Sequence, residues 1–191
     1  MNDREAKAAS LLARITFVRV ALVPVVMWLL LEGGRLAHAY GAAATLFGIA
    51  AATDFLDGFL ARRWGATTTL GSFLDTTADK LLVSGVLLAL VGAGRASPWI
   101  ATIIVGRELL IMGLRGVVAA DGRVMRPSVW GKAKANVQFL AIIAAILRTP
   151  GRLGPLFPDQ WAMLVAAAVT VLSAVEYLAR FSASITGSRR P

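Results

Sequence analysis

Six apolar segments, separated by short breaks, make up most of this 191-residue chain. They cover residues 14–32, 39–60, 72–93, 98–119, 131–148 and 160–182. A helix needs roughly 20 such residues to cross the hydrocarbon core of a bilayer. Glycine and proline mark most of the breaks, which is typical of turns. Because lipid cannot satisfy backbone polar groups, the pattern predicts an all-α fold, an integral membrane bundle of six transmembrane helices. We expect one domain over residues 1–191.

The composition narrows the class of protein further. Hydrophobic residues make up 57% of the chain and charged residues 16%, with a mean hydropathy of +0.69. There are no cysteines, which excludes disulfides, thiolate metal sites and cysteine nucleophiles. In so apolar a chain, the net charge of +9 favours anionic lipid headgroups and phosphorylated substrates as partners, and no nucleic acid.

The distribution of basic residues predicts the orientation. With six spans, one side carries most of the arginines and lysines, while the other carries only Arg35, Arg95, Arg148 and Arg152. Short loops rich in Lys and Arg stay in the cytoplasm. We therefore expect a multi-pass protein of the cell inner (plasma) membrane, with both termini and the ends of spans two and three facing the cytoplasm.

Four aspartates lie at those cytoplasmic ends. Asp54 and Asp57 are three residues apart, and Asp75 and Asp79 are four apart, so each pair shares a helix face. Ionisable residues in a membrane segment are costly, which makes them functional candidates. If the two faces oppose, the carboxylates repel unless one or two divalent cations bind. All-oxygen ligation suits Mg²⁺ or Mn²⁺, with Ca²⁺ as a further option. Such a site would bind a pyrophosphate through the cations.

The residues around the aspartates fit a nucleotide. At Gly58, Ala61 and Gly71 a larger side chain would block a nucleotide from lying against the helices. Arg62 would either contact a phosphate or balance the acids.

This pattern, D-G-x2-A-R-x8-G-x3-D-x3-D with a further aspartate three residues before it, resembles the signature of the CDP-alcohol phosphatidyltransferases. All eight fixed positions match across 26 residues: Asp54, Asp57, Gly58, Ala61, Arg62, Gly71, Asp75 and Asp79. The six-span organisation also resembles that family, so the likeness covers nearly the whole chain. The stretch 15–19, with Pro24, is similar to the family's L-T-x-x-R…P entry, and Ser10 stands where an asparagine is usual.

The resemblance implies an enzyme that displaces CMP from a CDP-linked lipid with a hydroxyl acceptor, using Mg²⁺ or Mn²⁺. It implies that the four aspartates ligate the metal and that CDP is bound by Asp54, Gly58, Ala61, Arg62, Gly71 and Asp75. Asp79 is then the candidate catalytic residue, a general base for the acceptor hydroxyl. Because a metal-bound carboxylate is a weak base, orienting the hydroxyl is its alternative role. A homodimer is implied by resemblance only.

Basic residues in the fourth and fifth segments suggest which acceptor is used. Arg107, Arg115, Lys132 and Lys134 would form a pocket for a phosphate on the acceptor. The segments G-R-E at 106–108 and G-K-A-K at 131–134 are similar to those of the family branch that uses glycerol 3-phosphate. Gly106 and Ala135 depart from that branch, which usually has alanine and threonine there. We therefore expect phosphatidyl transfer from CDP-diacylglycerol to glycerol 3-phosphate, giving phosphatidylglycerol phosphate and CMP in phospholipid biosynthesis.

Several alternatives remain open at this point. One alternative keeps the same chemistry but takes inositol phosphate or phosphatidylglycerol as the acceptor. Arg107 and Arg115 would be structural if they pair with Glu108 or Glu176, and Lys132 and Lys134 would be structural in an ordinary basic loop. A divalent-cation transporter would also contain intramembrane acids, although here they gather at one interface. An inactive, lipid-binding relative is the last alternative.

Overall fold

A computed structural model of the chain describes residues 3–64, 69–120, 129–148 and 150–187. Within these ranges some side chains fall outside the description, namely those of residues 3–9, 11–12, 55, 57–64, 69–70, 72, 129–130, 132 and 183–187.

Six α-helices account for nearly all of the described backbone, and the described part contains no named strand. They are α1 (Asp3–Leu31), α2 (Ala39–Trp64), α3 (Thr69–Gly92), α4 (Pro98–Ala120), α5 (Val129–Leu147) and α6 (Pro158–Gly187). Each coincides with one predicted segment, so the prediction of an all-α chain is confirmed. The largest difference is in α1, which begins well before residue 14 because helix formation does not require an apolar sequence.

Two helices in the described part of the chain are long and apolar enough to cross a membrane, at Ala13–Leu31 and Pro158–Ser182. A shorter apolar helix covers Ala133–Leu147. Charged residues interrupt the apolar runs of α3 and α4, namely Asp75, Asp79, Lys80, Arg107, Glu108 and Arg115. The prediction of six spans therefore remains a prediction.

Local sequence explains where several helices begin and end. After α3, Gly94 adopts a φ of +67°, and the amide of Arg95 donates to the carbonyl of Leu90 at 2.8 Å. This is the Schellman arrangement, which favours glycine at the left-handed position. Both α4 and α6 begin at a proline, where a missing N–H is tolerated. At the start of α6 the Gln160 side chain accepts a hydrogen bond from the amide of Phe157 at 3.0 Å, as in a capping box.

The chain forms two compact units, Met1–Arg95 and Ala96–Pro191. In the first unit α1 packs against both α2 and α3. Their buried side chains recur at intervals of three or four residues, as expected for one face of a helix: Val26, Leu30, Ala43, Phe47, Ala50, Leu82, Val86 and Leu90. A Cβ added to Gly85 would lie only 2.7 Å from Cγ1 of Val23, so glycine permits the close approach of α3 to α1.

In the second unit α6 packs against both α4 and α5. The core is formed mainly by Ile104, Ala141, Ile142, Ile146, Met163 and Ala166. Buried polar side chains also join these helices. The Gln138 amide donates to the Thr170 hydroxyl at 2.7 Å, and that hydroxyl donates to the Ala166 carbonyl at 2.6 Å. Paired in this way, polar groups are tolerated inside the bundle.

Candidate active site

Two of the predicted aspartates meet at a buried arginine in the first unit. Nη1 of Arg19 on α1 donates to Oδ1 of Asp54 on α2 at 2.7 Å and to Oδ1 of Asp75 on α3 at 2.9 Å. The Arg19 side chain is 1% exposed, whereas the two aspartate side chains are 32% and 35% exposed. The buried guanidinium of Arg19 therefore holds Asp54 of α2 and Asp75 of α3 together on their inner side, and both carboxylates remain partly accessible.

The position of Arg19 follows from the helical repeat of α1. Thr16, Arg19, Val26 and Leu30 are all buried, and their spacing places them on one face of the helix. That face packs against α2 and α3. A guanidinium buried on it requires an anion, because an isolated charge in an apolar interior is very costly. The two aspartates meet that requirement.

Asp79 lies one helical turn beyond Asp75 on α3, as the spacing predicts. Its carboxylate contacts the ammonium group of Lys80 and its side chain is 36% exposed. Gly71, one turn before Asp75, is half-buried on the same helix. The predicted residues of α3 thus follow one another along the helix within two turns.

The predicted metal site is described only in part. Among the described side chains, no group of three or more histidines, cysteines or carboxylates gathers closely enough to hold a metal ion. The Asp57 side chain lies outside the described residues, as do those of Ala61 and Arg62 and the surroundings of Gly58. The described donors are of the type that Mg²⁺ and Mn²⁺ prefer, since Asp54 and Asp75 bring partly accessible carboxylate oxygens from two helices to the guanidinium of Arg19.

A second ionic cluster lies in the second unit. The carboxylate of Glu108 on α4 contacts the ammonium of Lys134 on α5, and its Oε1 accepts a hydrogen bond from Nη1 of Arg107 at 3.3 Å. Lys134 and Glu108 are almost completely buried. These three side chains carry two positive charges and one negative charge. The structure therefore places Arg107 and Lys134 together. It also contains the Arg107–Glu108 pair that is expected if Arg107 has a structural role.

Helix α6 contributes residues that the sequence did not single out. Nη2 of Arg107 donates to the Ser173 hydroxyl at 2.8 Å. The Arg115 guanidinium lies 5.6 Å from the centre of the Tyr177 ring, within the range of a cation–π contact. Ser173 and Tyr177 are one turn apart, so the only sequence signal was a polar pair at helical spacing in an apolar segment. Lys132 lies outside the described side chains.

Glu176, one of the two carboxylates named above as possible structural partners of the arginines, forms an ion pair with Arg180, whose Nη2 lies 2.6 Å from Oε1 of Glu176.

The model of the CDP-alcohol phosphatidyltransferase family matches residues 11–172. The chain therefore belongs to that family of transferases. It is also similar over most of its length to curated bacterial proteins named CDP-diacylglycerol–glycerol-3-phosphate 3-phosphatidyltransferase. The protein of Bacillus subtilis (strain 168) is 38% identical over 87% of this chain and 92% of its own length. The one from Pseudomonas fluorescens is 36% identical, covering 86% of each chain. The protein of Escherichia coli (strain K12) is 34% identical over 90% of this chain and 94% of its own length.

Proposed function

We propose that this protein transfers the phosphatidyl group of CDP-diacylglycerol to glycerol 3-phosphate, forming phosphatidylglycerol phosphate and releasing CMP. The observation that carries the proposal is the shared name of three relatives at 34–38% identity over 86% or more of this chain. The ionic cluster of Arg107, Glu108 and Lys134 in the second unit supports an acceptor that carries a phosphate. The product is a phospholipid precursor, so the protein would serve phospholipid biosynthesis.

The proposed setting is the bacterial inner membrane, with six spans and the active site facing the cytoplasm. Large apolar side chains on several helices are exposed to the surroundings, among them Phe17, Phe73, Leu88, Trp99 and Leu140. Exposed apolar surface of this extent suits contact with lipid and would be a liability in water. The diacyl chains of the donor would remain in the leaflet while its headgroup enters the site. By family resemblance we also propose a homodimer.

The first unit would bind the CDP headgroup. Asp54, Asp57, Asp75 and Asp79 would hold Mg²⁺ or Mn²⁺, which supplies charge neutralisation at the pyrophosphate. Gly58, Ala61 and Gly71 would leave room for the nucleotide, and Arg62 would contact phosphate. The accessible faces of Asp54 and Asp75 support this assignment, because a ligand must reach them.

Asp79 would act on the acceptor. Its carboxylate would accept the proton of the glycerol 3-phosphate hydroxyl as that oxygen attacks the phosphorus bearing the diacylglycerol group. A new P–O bond forms, the P–O bond to CMP breaks, and CMP leaves with the bonding electrons. The contact between Lys80 and Asp79 would hold the carboxylate in position for this transfer.

The second unit would recognise the phosphate of the acceptor through Arg107, Arg115, Lys132 and Lys134. Arginine binds phosphate through a planar fork of donors, and lysine adds a point charge. Arg107 and Lys134 carry two positive charges against the single negative charge of Glu108. A cluster of this composition favours an acceptor that carries a phosphate over a neutral alcohol.

The direct test is CMP release by purified protein in detergent with CDP-diacylglycerol and Mg²⁺ or Mn²⁺. Glycerol 3-phosphate, inositol phosphate and phosphatidylglycerol would be offered in parallel, with a metal-free arm containing EDTA. We expect release with glycerol 3-phosphate and metal only. Release with one of the other acceptors would keep the chemistry and overturn the acceptor. No release from folded protein, together with Mn²⁺ flux in proteoliposomes, would favour the transporter.

We predict that Arg115→Gln raises the KM for glycerol 3-phosphate while the KM for CDP-diacylglycerol stays within a few-fold. A hydrogen bond to a charged group contributes about 1.5–3 kcal/mol, which corresponds to a loss of about 10- to 100-fold in kcat/KM for the acceptor. Steady-state kinetics in each substrate measure this. The matched control is Arg35→Gln, since the Arg35 side chain is 85% exposed and pairs only weakly with Glu32. Equal effects of the two substitutions would remove Arg115 from the acceptor pocket.

A further inference from the structure

Arg19 is the most deeply buried cation beside the predicted cation ligands. Its side chain is 1% exposed, and it belongs to α1, whereas its two aspartate partners belong to α2 and α3. An arginine stays charged at any physiological pH. Its burial therefore depends on the carboxylates of Asp54 and Asp75, and they in turn are fixed by it.

The geometry defines how the two carboxylates are held. A single nitrogen, Nη1, donates to Oδ1 of both aspartates, at 2.7 and 2.9 Å. The two oxygens are consequently close neighbours, although like charges at that separation would otherwise repel. About a third of each aspartate side chain is still accessible, while the arginine is not. The cationic group thus lies on the inner side of the pair and the solvent-accessible surface lies elsewhere.

We propose that Arg19 is a positioning residue that holds Asp54 and Asp75 in the orientation in which they bind a divalent cation, and that it stays in place when the cation binds. The inference rests on the proposed function, since it presupposes the cation site. Hydrogen bonds from an outer group commonly orient the ligands of a metal, and their removal costs metal affinity. The alternative is that Arg19 occupies the place of the cation and must leave, which its burial disfavours.

The two possibilities predict opposite effects of removing the guanidinium. If Arg19 orients the ligands, Arg19→Gln and Arg19→Met bind the cation more weakly, by about 10- to 100-fold. If Arg19 competes for the same place, the same variants bind the cation more tightly. Arg19→Gln retains one amide donor and should lose less affinity than Arg19→Met. At saturating Mn²⁺, the turnover of Arg19→Gln should recover to within a few-fold of the wild-type value, since only the cation affinity is lost.

The experiment is a titration of the purified protein in detergent with Mn²⁺ alone, followed by electron paramagnetic resonance of the free ion. Circular dichroism checks the fold of each variant, and Arg35→Gln is the matched control, expected to bind like the wild type. Wild-type or tighter affinity in a folded Arg19→Met or Arg19→Gln variant would overturn the inference. If these variants fail to fold, Arg19→Lys keeps the buried charge on a shorter side chain, which reaches the two carboxylates less well. It should bind Mn²⁺ about tenfold more weakly, and wild-type affinity would again overturn the inference.

The titration also separates this inference from the proposed function. Weak Mn²⁺ binding by the wild type together with metal-independent CMP release would remove the cation site itself, and the role of Arg19 with it. Normal binding by the wild type and by every Arg19 variant, together with metal-dependent CMP release, would leave the proposed function intact and reject only the positioning role.

Discussion

Asp79→Asn is expected to reduce CMP release by about 10²- to 10⁴-fold, the usual contribution of a general base. Asparagine has nearly the same size but accepts no proton, so the acceptor hydroxyl would attack without assistance. The measurement is single-turnover CMP release at saturating glycerol 3-phosphate and Mn²⁺. Glu32→Gln makes the same chemical change at the Arg35 pair, outside the site, and should leave the rate unchanged. Turnover unaffected by Asp79→Asn would count against its role in both catalysis and metal binding.

The same variant separates the two roles given to Asp79. If it acts mainly as a base, the rate constant falls even at saturating Mn²⁺. If it acts mainly as a ligand, Mn²⁺ affinity falls first, and a higher Mn²⁺ concentration restores part of the rate. Titrating Mn²⁺ against both the rate and the binding signal therefore distinguishes proton transfer from ligation.

Glu108→Leu is expected to destabilise the protein by about 3–5 kcal/mol, the usual cost of removing one partner of a buried ion pair. The Glu108 side chain is 3% exposed and contacts two cations, Arg107 and Lys134, which are 11% and 5% exposed. Without the carboxylate that both contact, these charges repel each other in an interior with little water. Denaturant unfolding in detergent, followed by circular dichroism, measures the change in the free energy of unfolding.

Two further variants make that measurement specific. Glu32→Leu removes the carboxylate of a pair whose arginine is 85% exposed, and such pairs contribute at most about 1 kcal/mol. Glu108→Leu combined with Lys134→Met should be less destabilised than the sum of the two single variants, because the second substitution removes a charge left by the first. If Glu108→Leu cost no more than Glu32→Leu, the buried cluster would have no structural role.

The helices of this chain could be predicted from sequence because their signals are local. Apolar runs of the length of a span, bounded by glycine and proline, placed all six helices. The aspartate spacing also placed Asp75 and Asp79 on one face of α3. These features depend on neighbours within one or two turns, where the helical repeat fixes the geometry.

The tertiary partners could not be predicted in the same way. Arg19 pairs with residues 35 and 56 positions away, and nothing in its own segment identifies them. Similarly, Glu108 had several possible cations along the chain, and the structure pairs it with both Arg107 and Lys134. Ser173 and Tyr177 were missed because a hydroxyl in an apolar helix gives a weak signal until its neighbour is known.

The contact of three helices at Arg19 also has a consequence for how the chain is inserted into a membrane during its synthesis. In the membrane setting proposed above, α1 leaves the ribosome before α2 and α3 and carries a permanently charged group that is unfavourable in hydrocarbon on its own. Asp54 and Asp75, which are equally unfavourable alone, arrive later in α2 and α3. Each charge makes the insertion of the others less costly once they meet. Stable insertion of α1 would therefore be completed only when α3 has been synthesised, so that the first three helices enter the bilayer as one cooperative unit.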